Sequence, residues 1–437
     1  MRKTAVKGMS LLLAMALVLM LAACGNGDDK SSGGTGTDGK TGEAVKLKFY
    51  AQYSGENIPV YDAAKAELKK VMPEVDVDFE VAAQDDEQKI KTYAAAGNLP
   101  DIFFASSGLI DVFKKSNNIL ALDDVIKENK IEEKLNETSK TLLWDQDGHS
   151  YAVPNVGQWA SLIFINKKVF EDNGVKVPAN YDEFLTAVQT FKSKNITPLS
   201  LFAKEKWPGV QLMDMAIVSE EPGGLKKLES GQGTFSDAAY TKAADKLSKL
   251  TAAGLLSSGA FNTNWEDALA QFTSGKAAMT LNGAWAMNDI TKAMGDNVDI
   301  IYAPFADKDK AEAVKWNVSG GGFNQGFAVS ANSKNKDIAA KYAALFSIEF
   351  AKQRIMLLGD PNPILKDAPQ PNTPHGALQK KYVADSANFK TMTTFPWGLS
   401  NAKFKTSVED NTQKFLVDRK TDAYINDMNK ALELARK

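Results

Sequence analysis

The sequence predicts an α/β fold in two lobes, each a sheet wrapped by helices, and three observations carry that reading. Between Val45 and Ala105 the patterns run strand, helix, strand, helix, strand, the order that builds a parallel sheet with helices packed on it. The same mixed pattern returns between about residues 180 and 285, with no internal repeat. Finally, about 390 residues follow the N-terminal region, more than one hydrophobic core ordinarily serves.

Each early element has a local cause. Val45 to Tyr50 ("VKLKFY") alternates apolar and polar residues and reads as a strand. Pro59 sits where a helix would begin, and Val60 to Met72 continues it until Pro73 stops it. "VDVDFEV" at 75–81 is a second strand with one face buried. Asp85 to Ala96 reads as a helix closed by Gly97, the residue that tolerates a left-handed backbone. "DIFFA" at 101–105 is short and apolar, a strand covered on both faces. Further on, Asp147-Gly148 marks a turn into a strand. Asn180 with Glu183 has the spacing of a capping box. "NWEDALAQFTSGKAAMTLNGAW" runs from a capped helix through Gly275 into a strand over Ala277 to Leu281, followed by a turn at Asn282-Gly283.

The N-terminal region has a different character. Arg2, Lys3 and Lys7 precede an uncharged run from Leu11 to Ala23, too short for a bilayer span and suited to the apolar core of a signal peptide. Leu21-Ala22-Ala23-Cys24 resembles the processing box of bacterial lipoproteins. That resemblance implies a leader over 1–23 and an acylated Cys24, the one cysteine of the chain. One acyl chain holds weakly to a membrane, so anchoring implies several on this residue. Residues 24–43 are mostly Gly, Ser, Thr, Asp and Lys, with almost nothing apolar to bury, and read as a disordered tether. Removing Arg2, Lys3 and Lys7 from 52 basic residues against 54 acidic leaves a charge of about −5. That balance supports neither nucleic-acid binding nor a polybasic membrane patch.

Motifs for catalysis are missing from the sequence. His149 and His375 lie far apart and the cysteine sits in the leader region, so no zinc site is signalled. There is no G-x-S-x-G elbow and no phosphate loop. The acidic pairs Asp85-Asp86, Glu132-Glu133 and Glu220-Glu221 read as solvated faces. Asp145 and Asp147 lack the later ligands of a calcium loop and read as a plain turn. No enzyme activity, cofactor or metal is expected.

Four stretches in this order, "GNLPDIFFA" (97–105), "YAVPNVGQWASLIFINKKVFEDNGVKVPANYDEF" (151–184), "FTSGKAAMTLNGAWAM" (272–287) and "GGGFNQGFAVSANSKNKDIAAKYAALF" (320–346), carry a resemblance. Together they resemble the extracellular solute-binding proteins of ABC importers, in the carbohydrate-binding branch that includes maltose-binding protein. The likeness runs from about Lys46 to the C-terminus. It implies a two-lobed, periplasmic-binding-protein-like fold with crossovers near Pro154 to Gly157, Gly322 to Gly326 and Gln379 to Asn388. The lobes would comprise 44–156 plus 326–380 and 157–325 plus 381–437. A sugar would lie in the cleft between them, and the loaded, closed monomer would dock on a membrane permease at the outer face of the cell membrane.

Sugar hydroxyls take hydrogen bonds in plane and sugar C–H faces stack on aromatic rings, so a sugar cleft sets flat aromatics among polar groups. Trp285 is the first candidate: it follows a strand, and it matches the stacking Trp of the family's "NG-x-W" motif. Trp159 follows the first crossover where the family branch has an acidic ligand, a departure that suggests stacking. Trp207 precedes a helix start at Pro208, and Trp397 resembles another stacking Trp. Trp144, Trp265 and Trp316 are expected to serve packing. Gly321, Gly322 and Phe323 lie in a glycine run that brings backbone N–H groups near a ligand or acts as a hinge. From the first lobe, the loops at the strand ends nominate Gln52, Tyr53, Gln84 and Ser106, with Glu56 as a further residue or a helix cap. The competing readings are a surface glycosidase or lyase, which needs two carboxylates flanking the sugar, the same fold with a non-sugar cargo, and a sugar sensor.

Overall fold

A computed structural model of the chain describes residues 44–83, 87–140, 142–145, 147–302, 304–320, 326–393 and 395–437. The expected leader, Cys24 and tether, together with Gln84, Gly321, Gly322 and Phe323, lie outside the described residues. In chain order the strands are β1 (Val45–Ala51), β2 (Val75–Val81), β3 (Ile102–Ala105), β4 (Ala152–Pro154), β5 (Ser161–Asn166) and β6 (Thr197–Ser200). They continue as β7 (Ala277–Gly283), β8 (Val298–Ile301), β9 (Asn317–Val318), β10 (Gly326–Val329) and β11 (Thr391–Met392).

The first sheet has the order β2-β1-β3-β10-β4. Strands β1, β2 and β3 are parallel, as their patterns predict, but β10 runs antiparallel to both β3 and β4. The sheet is therefore mixed, which corrects the all-parallel expectation. The strand that changes the direction arrives from more than 200 residues downstream, beyond the reach of a local pattern. In β2 the alternation does what it promises: Val75 and Val77 are buried, while Asp76 and Asp78 face out to Lys65 and Lys46.

The second sheet has the order β6-β7-β5-β8, with β6 parallel to β7 and β5 antiparallel to both its neighbours. Every residue of β5 and β7 is buried, as expected for central strands covered on both faces. A short parallel pair, β9 with β11, completes the ladder inventory among the described residues. Each sheet has its own core. The first gathers Phe49, Tyr61, Phe327 and Phe346 under the long helix Lys336–Leu358. The second gathers Phe164, Phe184, Phe191 and Phe272; the C-terminal helix Ala402–Asp418 packs into it against Trp207–Val218, and Thr421–Ala435 packs on Ala402–Asp418 and on the helix Ala238–Ala252.

Several boundaries move. The first helix spans Ile58–Val71, with Pro59 in its first turn, where a missing N–H costs nothing. The next spans Gln88–Ala95, and Gly97 has φ +69° as expected of a terminator. Asn180 Oδ1 accepts the Glu183 N–H, while the Glu183 carboxylate reaches the Ala179 N–H and the Asn180 amide, a variant of the capping box. Asn282 and Gly283 form no turn: they pair with Leu162 and Ser161 inside β7. Glu220 also departs from expectation. Its carboxylate is buried, 2.6 Å from Lys246 and 3.0 Å from Lys242, so it is a paired charge and no solvated face.

Candidate functional site

Four tryptophans from four distant segments meet at one place. Trp159 lies two residues before β5, Trp207 heads the helix Trp207–Val218, Trp285 follows β7 in a short 3-10 turn, and Trp397 lies in the loop after β11. Ring centroids of Trp159 and Trp285 are 4.3 Å apart and nearly perpendicular. Trp397 stands 5.7 Å from Trp159, 5.2 Å from Trp207 and 6.4 Å from Trp285. Trp207 and Trp285 are 6.1 Å apart. Trp159 is 7 % exposed and forms the floor, backed by Phe395, while the other three indoles are half-buried.

The geometry limits what the cluster can do. A flat ligand sandwiched between two rings needs about 7–8 Å between them, two van der Waals contacts of roughly 3.5–4 Å. None of these separations allows that. Trp207, Trp285 and Trp397 instead present a faceted, one-sided surface, tilted against each other by 42° to 52°. Polar groups sit at its edge. Trp207 Nε1 donates to Glu205 Oε2 at 3.0 Å, and Lys206 pairs with Asp410 at 2.5 Å.

Two glycines make the cluster possible. A Cβ added at Gly283 would lie 2.0 Å from the Trp285 ring, so that indole folds directly over the backbone of its own strand end. A Cβ at Gly320, which has φ +115°, would lie 2.9 Å from the Trp159 ring and 2.7 Å from the Ser161 nitrogen. Gly283→Ala is accordingly expected to turn the Trp285 indole out of place and to cost about 1–3 kcal/mol of stability. An unchanged near-ultraviolet circular dichroism spectrum would contradict this packing.

The first-lobe candidates are placed variously. Ser106 caps the helix Ser107–Lys115, its Oγ accepting the Leu109 N–H at 3.1 Å. That helix start adjoins the loop of Trp397: a Cβ at Gly108 would lie 3.2 Å from the Leu399 carbonyl oxygen and 3.8 Å from that of Trp397. Tyr53 is committed within its own lobe, stacked on Phe79 at 4.9 Å and donating to Asp62 at 2.9 Å. Gln52 is half-buried, and its carbonyl accepts the Ser54 N–H. Glu56 lies in a 3-10 turn. Loss of solvent around its carboxyl raises its pKa, Asp289 raises it further, and Arg354 opposes. Of the remaining tryptophans, Trp265 packs on Phe202 and Trp316 on Tyr302 and Phe389, while Trp144 is 37 % exposed.

Close to the cluster, the segment after the first sheet is tied to the second half of the chain. Tyr382 is fully buried; its hydroxyl donates to Asn362 Oδ1 at 2.8 Å and accepts the Ala160 N–H at 3.2 Å. Gly157 lies so near Asn362 that a Cβ would fall 2.0 Å from that carbonyl oxygen. Asn288 in the helix after Trp285 donates to the Leu358 carbonyl, and Gln379 donates to Asn288 and Thr291. Phe395 and Glu205 are the contributors that sequence reading passes over, while Gly283 reads as a turn residue and Gly320 only as part of a glycine run.

Residues 54–347 match the family described as bacterial extracellular solute-binding protein. The chain belongs to that family. This solute-binding protein is 23 % identical to an uncharacterized ABC transporter extracellular-binding protein of Pyrococcus horikoshii, over 88 % of this chain and 85 % of the relative. It is 29 % identical to the multiple sugar-binding protein of Streptococcus mutans over 47 % of this chain and 49 % of that one. Among solved structures it resembles one from a study of xylan utilization by Caldanaerobius polysaccharolyticus. The TM-score is 0.77 at 26 % identity, covering 88 % of this chain and 99 % of the other. The two sheets with separate cores are thus the two lobes of a solute-binding-protein fold.

Proposed function

We propose that this solute-binding protein captures a carbohydrate, an oligosaccharide rather than a single sugar, against the tryptophan surface and delivers it to an ABC permease by closure of the lobes. The observation that carries the proposal is the convergence of Trp159, Trp207, Trp285 and Trp397. Flat, weakly polar indole faces suit the C–H faces of pyranose rings, and groups such as Glu205 at the margin suit hydroxyls. Sugar-binding and ABC-transporter relatives support the same cargo and the same partner. No bond is made or broken. The lobes comprise 44–156 plus 326–380 and 157–325 plus 381–437, and the protein acts as a monomer tethered through acylated Cys24 at the outer face of the membrane. Among the described residues no helix is long and apolar enough to cross a membrane.

Thermal unfolding in the presence of mono- and oligosaccharides, with amino acids, polyamines and phosphate as controls, tests the cargo. A ligand held only by the folded state stabilises by about 2.7 kcal/mol at a hundred times its Kd, a rise of several degrees. An oligosaccharide series is expected to raise the midpoint. A response to a control alone would overturn the carbohydrate assignment and leave the family intact.

A further inference from the structure

Behind the tryptophans lies a carboxylate that touches no ligand surface. Asp214 is completely buried in the helix that Trp207 heads. Its Oδ2 accepts the Ser319 hydroxyl at 2.6 Å and the Thr393 hydroxyl. The Ser319 and Ser161 hydroxyls lie 3.2 Å apart, and the Ser319 carbonyl accepts the Ser161 N–H at 2.7 Å. Asp214 Oδ1 and both polar atoms of Gln211, one turn earlier and equally buried, have no partner among the described residues. No cation pairs with Asp214 among them either.

Stability does not account for this arrangement. A buried carboxylate held only by hydroxyls costs more than apolar packing of the same volume. What the carboxylate supplies is direction, because one oxygen fixes two hydroxyls at once. Those hydroxyls belong to the segments that carry the indoles. Ser161 follows Trp159 by two residues and pairs with Gly283, under Trp285. Thr393 precedes Trp397 by four. Ser319 adjoins Gly320, on which the Trp159 ring lies, and leads toward β10 of the other sheet.

We propose that Asp214 is a positioning residue for the tryptophan surface, holding the Trp159, Trp207 and Trp397 segments in register through Ser319 and Thr393. Its consequence for binding rests on the reading of that surface as the ligand site. The test compares Thr393→Val, which keeps shape and removes the hydroxyl, with Thr393→Ser, which restores it, and with Ser319→Ala. Near-ultraviolet circular dichroism and tryptophan emission of the ligand-free protein are read first, then affinity for the sugar found in the thermal screen. Thr393→Val and Ser319→Ala are expected to alter the aromatic spectrum at unchanged far-ultraviolet signal and to weaken binding about tenfold. Thr393→Ser is expected to recover both. A wild-type aromatic spectrum in both hydroxyl-deleted variants would overturn the proposal, as would weaker binding that follows only a lower folded fraction. If no sugar binds the unaltered protein, the spectra still decide the positioning role, and the carbohydrate reading is what has failed.

Discussion

Trp285→Ala is expected to weaken carbohydrate binding by about thirty- to a hundredfold, or roughly 2–3 kcal/mol. The indole is half-buried and shares a boundary with Trp159, Trp207 and Trp397, so its removal takes away one facet of the surface and loosens the other three. Isothermal titration with the sugar identified in the thermal screen measures the effect directly. Trp285→Phe keeps a flat apolar face and is expected to lose far less. Wild-type affinity in Trp285→Ala, for a sugar that binds the unaltered chain, would mean that the ligand rests elsewhere. Trp159→Ala should behave differently, because that ring is 7 % exposed and supports the others from beneath. There the stability and the affinity are expected to fall together, as for truncation of a core aromatic. The contrast separates a ring that touches the sugar from a ring that holds the surface in place.

How much of this could be read from the residues depends on how far the cause lies along the chain. The strands β1, β2 and β3 announce themselves because alternation is local, and Gly97 and Asn180 act within a turn of where they stand. The tryptophans are legible one by one, Trp285 after a strand, Trp207 at a helix start, Trp159 after the first crossover and Trp397 in a loop, but nothing in their spacing tells that four rings touch. The glycine under Trp285 is a case of ambiguous chemistry. Asn-Gly is a turn dipeptide by composition, yet here it continues β7, because Leu162 and Ser161 of β5 lie opposite it and the indole needs the space of the missing Cβ. Glu220 reads as a surface charge for a similar reason, and nothing in the local pattern singles out Asp214. The helix that carries Asp214 is covered by one that begins 188 residues beyond that aspartate, at Ala402, and Glu220 is paired by lysines on a separate helix. No local period carries such information. The mixed direction of the first sheet belongs to the same class, since β10, more than 160 residues beyond β4 in the chain, enters between β3 and β4.

Asp214→Asn is expected to be stabilising at neutral pH, by an amount that shrinks as the solution is acidified. Burial pushes the Asp214 carboxyl up from 3.8 to about 6, and the hydroxyls of Ser319 and Thr393 offset only part of that. Between about pH 4 and pH 6 the folded chain therefore holds a proton that the unfolded chain has released. Stability associated with this group is fully present below the unfolded value and is lost as pH rises through the folded one. Two units correspond to roughly 2–3 kcal/mol of added cost for the charged form at pH 7.5. Asparagine has no charge to bury and keeps an acceptor for the hydroxyls. The other titratable groups that sense Asp214 are Tyr240 and Tyr424, both raised by burial and neutral throughout this range. Asp147 and Asp307, lowered to about 2 by their lysine partners, act in the opposite sense, but equally in both proteins. The informative quantity is therefore the difference in unfolding free energy between variant and wild type, measured by denaturant titration at pH 4 and pH 7.5. It should grow by roughly 2–3 kcal/mol toward the higher pH. A difference that stays flat would mean that Asp214 ionises no less readily than an exposed carboxyl, and that its charge is compensated inside the lobe by more than two hydroxyls.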